Sequence, residues 1–265
     1  MQIFTENFKS SPYWWEKAPR PKIETKKIPA KIDVAIIGSG YTGLCAALTL
    51  VKAGCEVVVF DAEDAGWGCS SRNGGQVSTS IKPGFRKLCG QFGEAAATKI
   101  IKEGQNSLDW LKDFIAREKI DCSFKVPGRF FAAHSQREFD LLAANLKAQP
   151  ASLEVKAKLV TRSEQRKELG TDIYHGGAVF ESHASLDPAL YHSALLEKVL
   201  KAGVTVITNC RVKKIRKHNA EFSLDTQLGS FNANKVIVGT NGYTGQLTPW
   251  LSRRVIPIGS YMIAT

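Results

Sequence analysis

The hydrophobic pattern changes period several times along the chain. Val34-Ala-Ile-Ile37 is an unbroken apolar run between turn signals, which predicts a short strand buried on both faces. Leu44, Ala47, Leu48 and Val51 then recur at helical spacing, and Lys52-Ala-Gly54 supplies a cation and a glycine stop. Val57-Val-Val-Phe60 reads as a second buried strand with Asp61 at its carboxyl end, completing a βαβ unit. The pattern echoes further on. A helix from Pro188 to Lys201-Ala-Gly203 leads into Val204-Thr-Val-Ile207, a further helix–strand step into the same parallel sheet. Val212 to Ile215, Glu221 to Leu224 and the surroundings of Phe231 predict a short antiparallel excursion. Lys235-Val-Ile-Val238 then returns as another sheet strand, ending in Gly239-Thr-Asn-Gly242, and Ile256 to Thr265 reads as a terminal strand.

Residues 85–118 predict one long amphipathic helix, with Ile100, Ile101, Leu108, Leu111, Phe114 and Ile115 facing inward. A strand over Gly128 to Ala133 and a helix over Glu138 to Lys147, with Phe139, Leu142 and Leu146 inward, complete this middle region. Residues 1–32 carry no period and contain Pro12, Pro19, Pro21 and Pro29, which suits an arm with some extended structure. Trp14 and Trp15 are expected to anchor it on the body, because two adjacent indoles are costly to leave in water.

A chain of 265 residues allows one or two domains, and 43% hydrophobic with 23% charged residues excludes wholesale disorder. No window reaches the roughly 18 consecutive apolar residues of a membrane span. The 36 Lys and Arg against 25 Asp and Glu leave a net charge of +11, scattered along the chain, which favours solubility and attraction of anionic ligands over nucleic-acid binding. The densest basic run (Arg211, Lys213, Lys214, Arg216, Lys217) has no interleaved aromatics and reads as a solvated strand face. Six cysteines without a CxxC pair suit reduced thiols in the cytoplasm, and Met1 to Ser10 lacks the apolar core of a signal peptide. The five histidines lack metal-ligand spacing and are expected at the surface or at caps; no metal is implied. Cys69 is expected as a small buried thiol, and no GxSxG elbow is present.

The chemistry concentrates after the first strand. Gly38-x-Gly40-x-x-Gly43 lies between a predicted strand and a predicted helix, with Asp61 placed 21 positions after Gly40. The first glycine permits a tight turn, the second admits a pyrophosphate to the backbone, and the third allows close helix–strand packing. The helix N-terminus offers free N–H groups to phosphate, and Asp61 can accept from ribose hydroxyls. This argument reaches a dinucleotide without choosing between NAD and FAD. Gly66-Trp-Gly-Cys-Ser-Ser-Arg-Asn-Gly-Gly-Gln76 favours FAD, since it offers N–H groups, hydroxyls and a cation along an extended polyphosphate and ribityl chain.

With these motifs the chain resembles the FAD-dependent amine oxidoreductases of the D-amino-acid oxidase superfamily, in particular the bacterial branch of gamma-glutamylputrescine oxidoreductase-like enzymes. Tyr13-Trp14, the Gly38–Gly43 loop, Gly66 to Gln76, Leu186-Asp-Pro188, Val236 to Tyr243 and Pro257 to Thr265 carry the resemblance. Ser71 stands where that branch commonly has glycine, and Cys69 where alanine is frequent. The resemblance implies that Gly38, Gly40, Tyr41, Thr42 and Gly43 hold the pyrophosphate, and that Asp61 with Ala62 meets the adenosine ribose. It places Ser70, Ser71 and Arg72 along the pyrophosphate and ribityl chain, and Asn73, Gly74, Gly75 and Gln76 near the isoalloxazine ring. Val212, in the excursion strand, would meet adenine through its backbone, and Thr240, Asn241 and Gly242 would close over the cofactor.

The implied fold class is α/β: a Rossmann-like FAD-binding domain, parallel with an antiparallel excursion, over 33–84 and 186–254. An arm precedes it over 1–32, and a helical insertion with part of an α+β substrate domain occupies 85–185 and 255–265. The implied chemistry is hydride transfer from the carbon beside an amine to FAD, by an oxidase or a dehydrogenase, with the catalytic residues unassigned. Family members continue past Thr265, so the chain reads as an amino-terminal part. The alternatives are a non-catalytic flavin-binding remnant, a subunit needing a complementing polypeptide or a second copy, and a nicotinamide-dependent dehydrogenase.

Overall fold

The computed structural model describes residues 4–24 and 27–261. In chain order the helices are α1 (Trp14–Lys17), α2 (Tyr41–Lys52), α3 (Phe85–Phe92), α4 (Glu94–Arg117), α5 (Gln136–Lys147), α6 (Pro188–Lys201) and α7 (Pro249–Ser252). The strands are β1 (Ile32–Ile37), β2 (Val57–Phe60), β3 (Gln76–Val77), β4 (Arg129–Ala132), β5 (Ala157–Val160), β6 (Gly177–Phe180), β7 (Ala184–Ser185), β8 (Thr205–Ile207), β9 (Lys214–His218), β10 (Glu221–Thr226) and β11 (Gly229–Val238). The described residues group into two compact units. One holds the chain up to Gly74 and from Asp187 onward, the other Gly75–Leu186.

The first unit is built on a six-stranded sheet in the order β8-β2-β1-β11-β10-β9. β8, β2, β1 and β11 run parallel, and β11, β10 and β9 form an antiparallel meander. β1 sits between β2 and β11, with α2 over one face and a buried cluster on the other, which is why Val34 to Ile37 is uninterruptedly apolar. Ile36 faces α2, which packs on β1 and β2 and against α6. Ala35 and Ile37 face the other way, into a cluster with Val58, Phe60, Ile207, Cys210, Val212, Leu224 and Ala233. α6 starts cleanly because the Asp187 carboxylate accepts from the N–H groups of Ala189 and Leu190, with Pro188 in the first turn.

Three expectations for this unit are corrected. Phe231 and Lys235–Val238 lie on one strand: β11 pairs antiparallel with β10 over its first half and parallel with β1 over its second. Val212 precedes β9 rather than lying in it, and its side chain is buried in the sheet cluster. Residues 256–261 form no strand, and the rest of that predicted strand lies outside the described residues. The arm does carry its tryptophans onto the body, with a helical turn, α1, at that point.

The second unit has a three-stranded antiparallel sheet in the order β4-β6-β5, a two-stranded β3–β7 pair, and α3, α4 and α5. The predicted helix over 85–118 is two helices. Gly93 adopts φ +80°, a left-handed conformation that interrupts the ladder and separates α3 from α4. Ile101, Leu108, Phe114 and Ile115 are buried as expected, while Ile100 and Leu111 are half-buried and Ala97 and Gly104 complete the inner face. α5 begins at Ser135, whose hydroxyl accepts from Glu138 N–H, and Phe139, Leu142 and Leu146 are only half-buried.

Glycines in helices test these contacts. Gly43→Ala would put a Cβ 1.9 Å from the Gly38 carbonyl oxygen, so urea unfolding should show a loss of about 1–3 kcal/mol. Gly90→Ala, in α3 with nothing within 4 Å, should instead gain about 0.5–1 kcal/mol.

Candidate functional site

The carboxyl ends of β1, β2 and β11 deliver their loops to one edge of the parallel sheet. Gly38 turns the chain with φ +101°, and a Cβ there would stand 2.7 Å from the Gly239 carbonyl oxygen. Gly38 N–H donates to the Phe60 carbonyl and Gly239 N–H to the Ile37 carbonyl, each at 2.8 Å, which ties the three strand ends together. Gly40 opens α2 in extended conformation, with no side-chain cap and no acidic residue in the first turn. A Cβ on Gly40 would meet Ser70 Oγ at 2.9 Å, and Tyr41 N–H donates to that same hydroxyl at 3.2 Å. Gly40 itself thus supplies no side-chain cap to the positively polarised start of this twelve-residue helix, and Ser70 accepts one of its amides.

Asp61 stands beside it at the end of β2. Its Oδ2 accepts from Ser39 N–H at 2.8 Å and from Ser39 Oγ–H at 2.5 Å, and its Oδ1 accepts from Glu63 N–H at 3.0 Å. A carboxylate has about four acceptor positions, so roughly one remains on Oδ1 for a ligand hydroxyl. Ser39 is fully buried, and its carbonyl accepts from His192 Nε2–H at 2.8 Å, which fixes the tautomer of that ring. Burial pushes the His192 pKa down, against the pull of the Ser39 carbonyl and the Asp61 charge. The ring rests against Gly66, where a Cβ would come within 2.7 Å of it.

The loop after β2 is pinned from inside. Ser71 is buried; its hydroxyl donates to the Gly66 carbonyl and accepts from Trp15 Nε1–H at 2.8 Å. Its backbone lies in a 3₁₀ turn, Cys69–Ser71, where a Cβ is accommodated without strain. The Asn73 side-chain amide donates to the carbonyls of Cys69 at 3.1 Å and Ser70 at 3.3 Å, while the Asn73 backbone carbonyl accepts from Trp14 Nε1–H at 2.9 Å. The Arg72 guanidinium lies 4.5 Å from the Trp67 ring and 6.0 Å from Trp15, and donates to Tyr243 Oη at 3.3 Å. Cys69 is exposed, contrary to expectation, and its Sγ accepts from Asn241 Nδ2–H at 3.4 Å.

Gly38, Gly40, Tyr41, Thr42 and Gly43, then Asp61 and Ala62, then Ser70 to Gly74, and finally Thr240 to Gly242 are therefore gathered at this edge. Gly75 and Gln76 belong to the second unit, where the Gly75 carbonyl accepts from Leu186 N–H at 2.9 Å and Gln76 opens β3. Val212 is part of the sheet core. Two partners of this edge lie outside the expected set: Ser39, and His192, which was expected at the surface or at a cap and is buried. His183 is likewise buried, with Nε2 3.2 Å from Thr79 Oγ1 and the ring stacked on Phe180. The serine signal was present in the sequence, as the residue between two glycines 22 positions before the strand-end acid.

A glycine turn from strand to helix, a helix start with glycine at its cap and a strand-end carboxylate define a dinucleotide-binding protein of the α/β class. Residues 33–265 match the DAO family, described as FAD dependent oxidoreductase, and the chain belongs to that family. It is 29% identical to the gamma-glutamylputrescine oxidoreductase of Escherichia coli, across 88% of this chain and 54% of that protein. It is 27% identical to the "Probable oxidoreductase OrdL" of Haemophilus influenzae, across 88% of this chain and 55% of that one. The chain thus spans about half the length of the curated relatives it matches. In fold it is similar to the L-amino acid deaminase of Proteus vulgaris, with TM-score 0.70, 19% identity, and coverage of 87% of this chain and 52% of that one. Glycine oxidase of Geobacillus kaustophilus gives TM-score 0.65 at 20% identity, covering 84% and 59%. The family cofactor is FAD, and the residues present fit it: at the start of α2 the N-cap residue is a glycine whose added Cβ would crowd the cradle against Ser70, and no acid stands in the first turn.

The buried histidines carry a pH signature. His192 is held below the ordinary imidazole value near 6.5, and burial with the charge of Arg129 lowers His183 as well. As pH falls below about 6.5 the unfolded chain takes up protons that the folded one refuses, so stability present above that pH is lost beneath it. Melting temperature should drop between about pH 7.5 and pH 5.5, and His192→Gln, an N–H donor that does not titrate, should show a smaller drop.

Proposed function

We propose that this chain forms the FAD-binding part of an oxidoreductase acting on a primary or secondary amine, either a gamma-glutamylputrescine-like compound or an amino acid. The observation that carries the reading is the start of α2, within the Gly38–Gly43 turn, where a glycine stands at the cap and Asp61 is held by Ser39 of the same turn. The gamma-glutamylputrescine oxidoreductase similarity, with glycine oxidase and L-amino acid deaminase as fold neighbours, supports an amine or amino acid as substrate. The N–H groups of the first turn of α2 and the Gly40 backbone would hold the pyrophosphate, with the helix dipole favouring its charge. The open position on Asp61 Oδ1 would take a ribose hydroxyl, and Ser70 would align Tyr41 N–H in the same cradle. Bound FAD supplies a two-electron acceptor for hydride from the carbon beside the amine, leaving an imine that water hydrolyses. Free cysteines, two of them buried, suit the reducing cytoplasm. Among the described residues no helix is long and apolar enough to cross a membrane.

Association with a second copy or a complementing polypeptide is a second reading. It is favoured by Ile256, Ile258 and Tyr261, which are 83%, 86% and 95% exposed. Sedimentation of the purified chain should then show species larger than a monomer.

Titration with FAD, followed by flavin fluorescence, tests the leading reading. The chain should quench the flavin on binding, and Gly40→Val should abolish the effect while retaining the helical content of the fold. Asp61→Asn turns an NH₂ toward either the two Ser39 donors or Glu63 N–H, so it should weaken FAD by about 1–3 kcal/mol and lower the melting temperature. Bleaching of bound flavin by an amine under anaerobic conditions would support the substrate class. FAD uptake by Gly40→Val equal to that of the unaltered chain would overturn the site.

A further inference from the structure

We propose that residues 13–20 of the amino-terminal arm are a strap that sets the conformation of the 64–73 loop and thereby determines how tightly FAD is retained. The proposal rests on the FAD-binding reading above. The strap lies outside the family match, which begins at residue 33, so nothing in that match assigns it a role.

Successive residues in a helical turn point about 100° apart, and α1 uses this to send two adjacent indoles to different acceptors. Trp14 Nε1–H reaches the Asn73 carbonyl at 2.9 Å, and Trp15 Nε1–H reaches Ser71 Oγ at 2.8 Å. Arg20 then pairs with Asp64 at 3.0 Å, at the other end of the same loop, while its guanidinium lies 4.2 Å from the Trp15 ring. The Asn73 and Ser71 bonds span about sixty residues of sequence, so they order the loop by tying it to another part of the chain.

These contacts continue toward the cradle. Ser71, held by Trp15, donates to the Gly66 carbonyl, and Gly66 lies against the His192 ring. His192 donates to the Ser39 carbonyl, and Ser39 holds Asp61. Within the same short turn Ser70 accepts from Tyr41 N–H, the first amide of α2. Trp14 and Trp15 are therefore positioning residues. They set the loop that aligns Ser70 and braces the ring behind Ser39.

The test compares the 265-residue chain with its Trp14→Phe/Trp15→Phe variant, which leaves a smaller aromatic ring at each position and removes both indole donors. Lys9→Ala, which breaks only the exposed Lys9–Glu16 pair, is the control. Three readouts are needed: FAD affinity, the visible circular dichroism of the bound flavin, and the rate of tryptic cleavage after Arg72 in the FAD-free protein. The double variant should bind FAD about tenfold more weakly, with an altered visible dichroism, and should be cleaved after Arg72 several times faster, at unchanged far-ultraviolet dichroism. A structural role confined to the arm would move neither the flavin signal nor the cleavage at Arg72. Should the double variant unfold, Trp14→Phe and Trp15→Phe singly carry the same comparison. Equal affinity or equal cleavage overturns the strap. Failure of the unaltered chain to take up FAD overturns the proposed function instead, and the cleavage rate still decides the strap.

Discussion

The approach of α2 to the sheet depends on the absence of a side chain at Gly43, where a Cβ would lie 1.9 Å from the Gly38 carbonyl oxygen and 3.2 Å from Ile36. With that distance available, the helix can sit directly on β1, and its first turn arrives where β1, β2 and β11 end. The same tight geometry presses Gly38 on Gly239 and brings Ser70 to Gly40. The start of α2, the glycine turn that precedes it and the acid after β2 thus come together at one edge of the parallel sheet.

Behind this edge lies a buried polar chain whose members have to satisfy one another. Ser39 donates twice to Asp61 and accepts from His192, and both Ser39 and His192 are essentially inaccessible to solvent. Leaving any one of these groups unpaired costs about 1–3 kcal/mol, so the arrangement is held as a unit. It also sets the protonation of His192: burial favours the neutral ring, which can still donate from Nε2 to Ser39. α6 thereby acquires a second function beyond packing on α2. It carries the residue that fixes the peptide between the two glycines of the turn.

Much of the first unit was legible because its physics is local. An apolar tetrad between turn signals is too short for a helix and suits a doubly buried strand, and β1, β2, α2, α6 and β8 fall close to where the pattern predicts them. The misreadings arise where a longer-range constraint decides. One glycine at positive φ splits the helix over 85–118, and helical periodicity does not register a single backbone sign. β11 joins what read as two strands because one chain can serve an antiparallel partner and a parallel partner in turn. The glycine motif and Asp61 were visible in the sequence at the candidate site. His192 and the Ser71 commitments were not, since a partner 153 residues away leaves no spacing to recognise. The exposure of Cys69 likewise depends on how the loop folds, which composition does not encode.

A carboxylate and a diphosphate are poor neighbours, and a site that holds FAD as proposed would have to reconcile them. Asp61 follows β2, near the start of α2 where the pyrophosphate is proposed to bind, so two negative groups would share this edge of the sheet. Three donors engage the Asp61 oxygens, and those hydrogen bonds disperse its charge into the backbone of residues 39 and 63 and into the Ser39 hydroxyl. The first turn of α2 adds no acid of its own, so its dipole is not spent on an internal anion. The net charge of +11 biases the surrounding field in the same direction. What remains on Asp61 is about one acceptor position, suited to a neutral hydroxyl and too little to recruit a cation that would compete for the phosphates. The internal commitments of the carboxylate are thus what would let it share the proposed site with an anionic ligand.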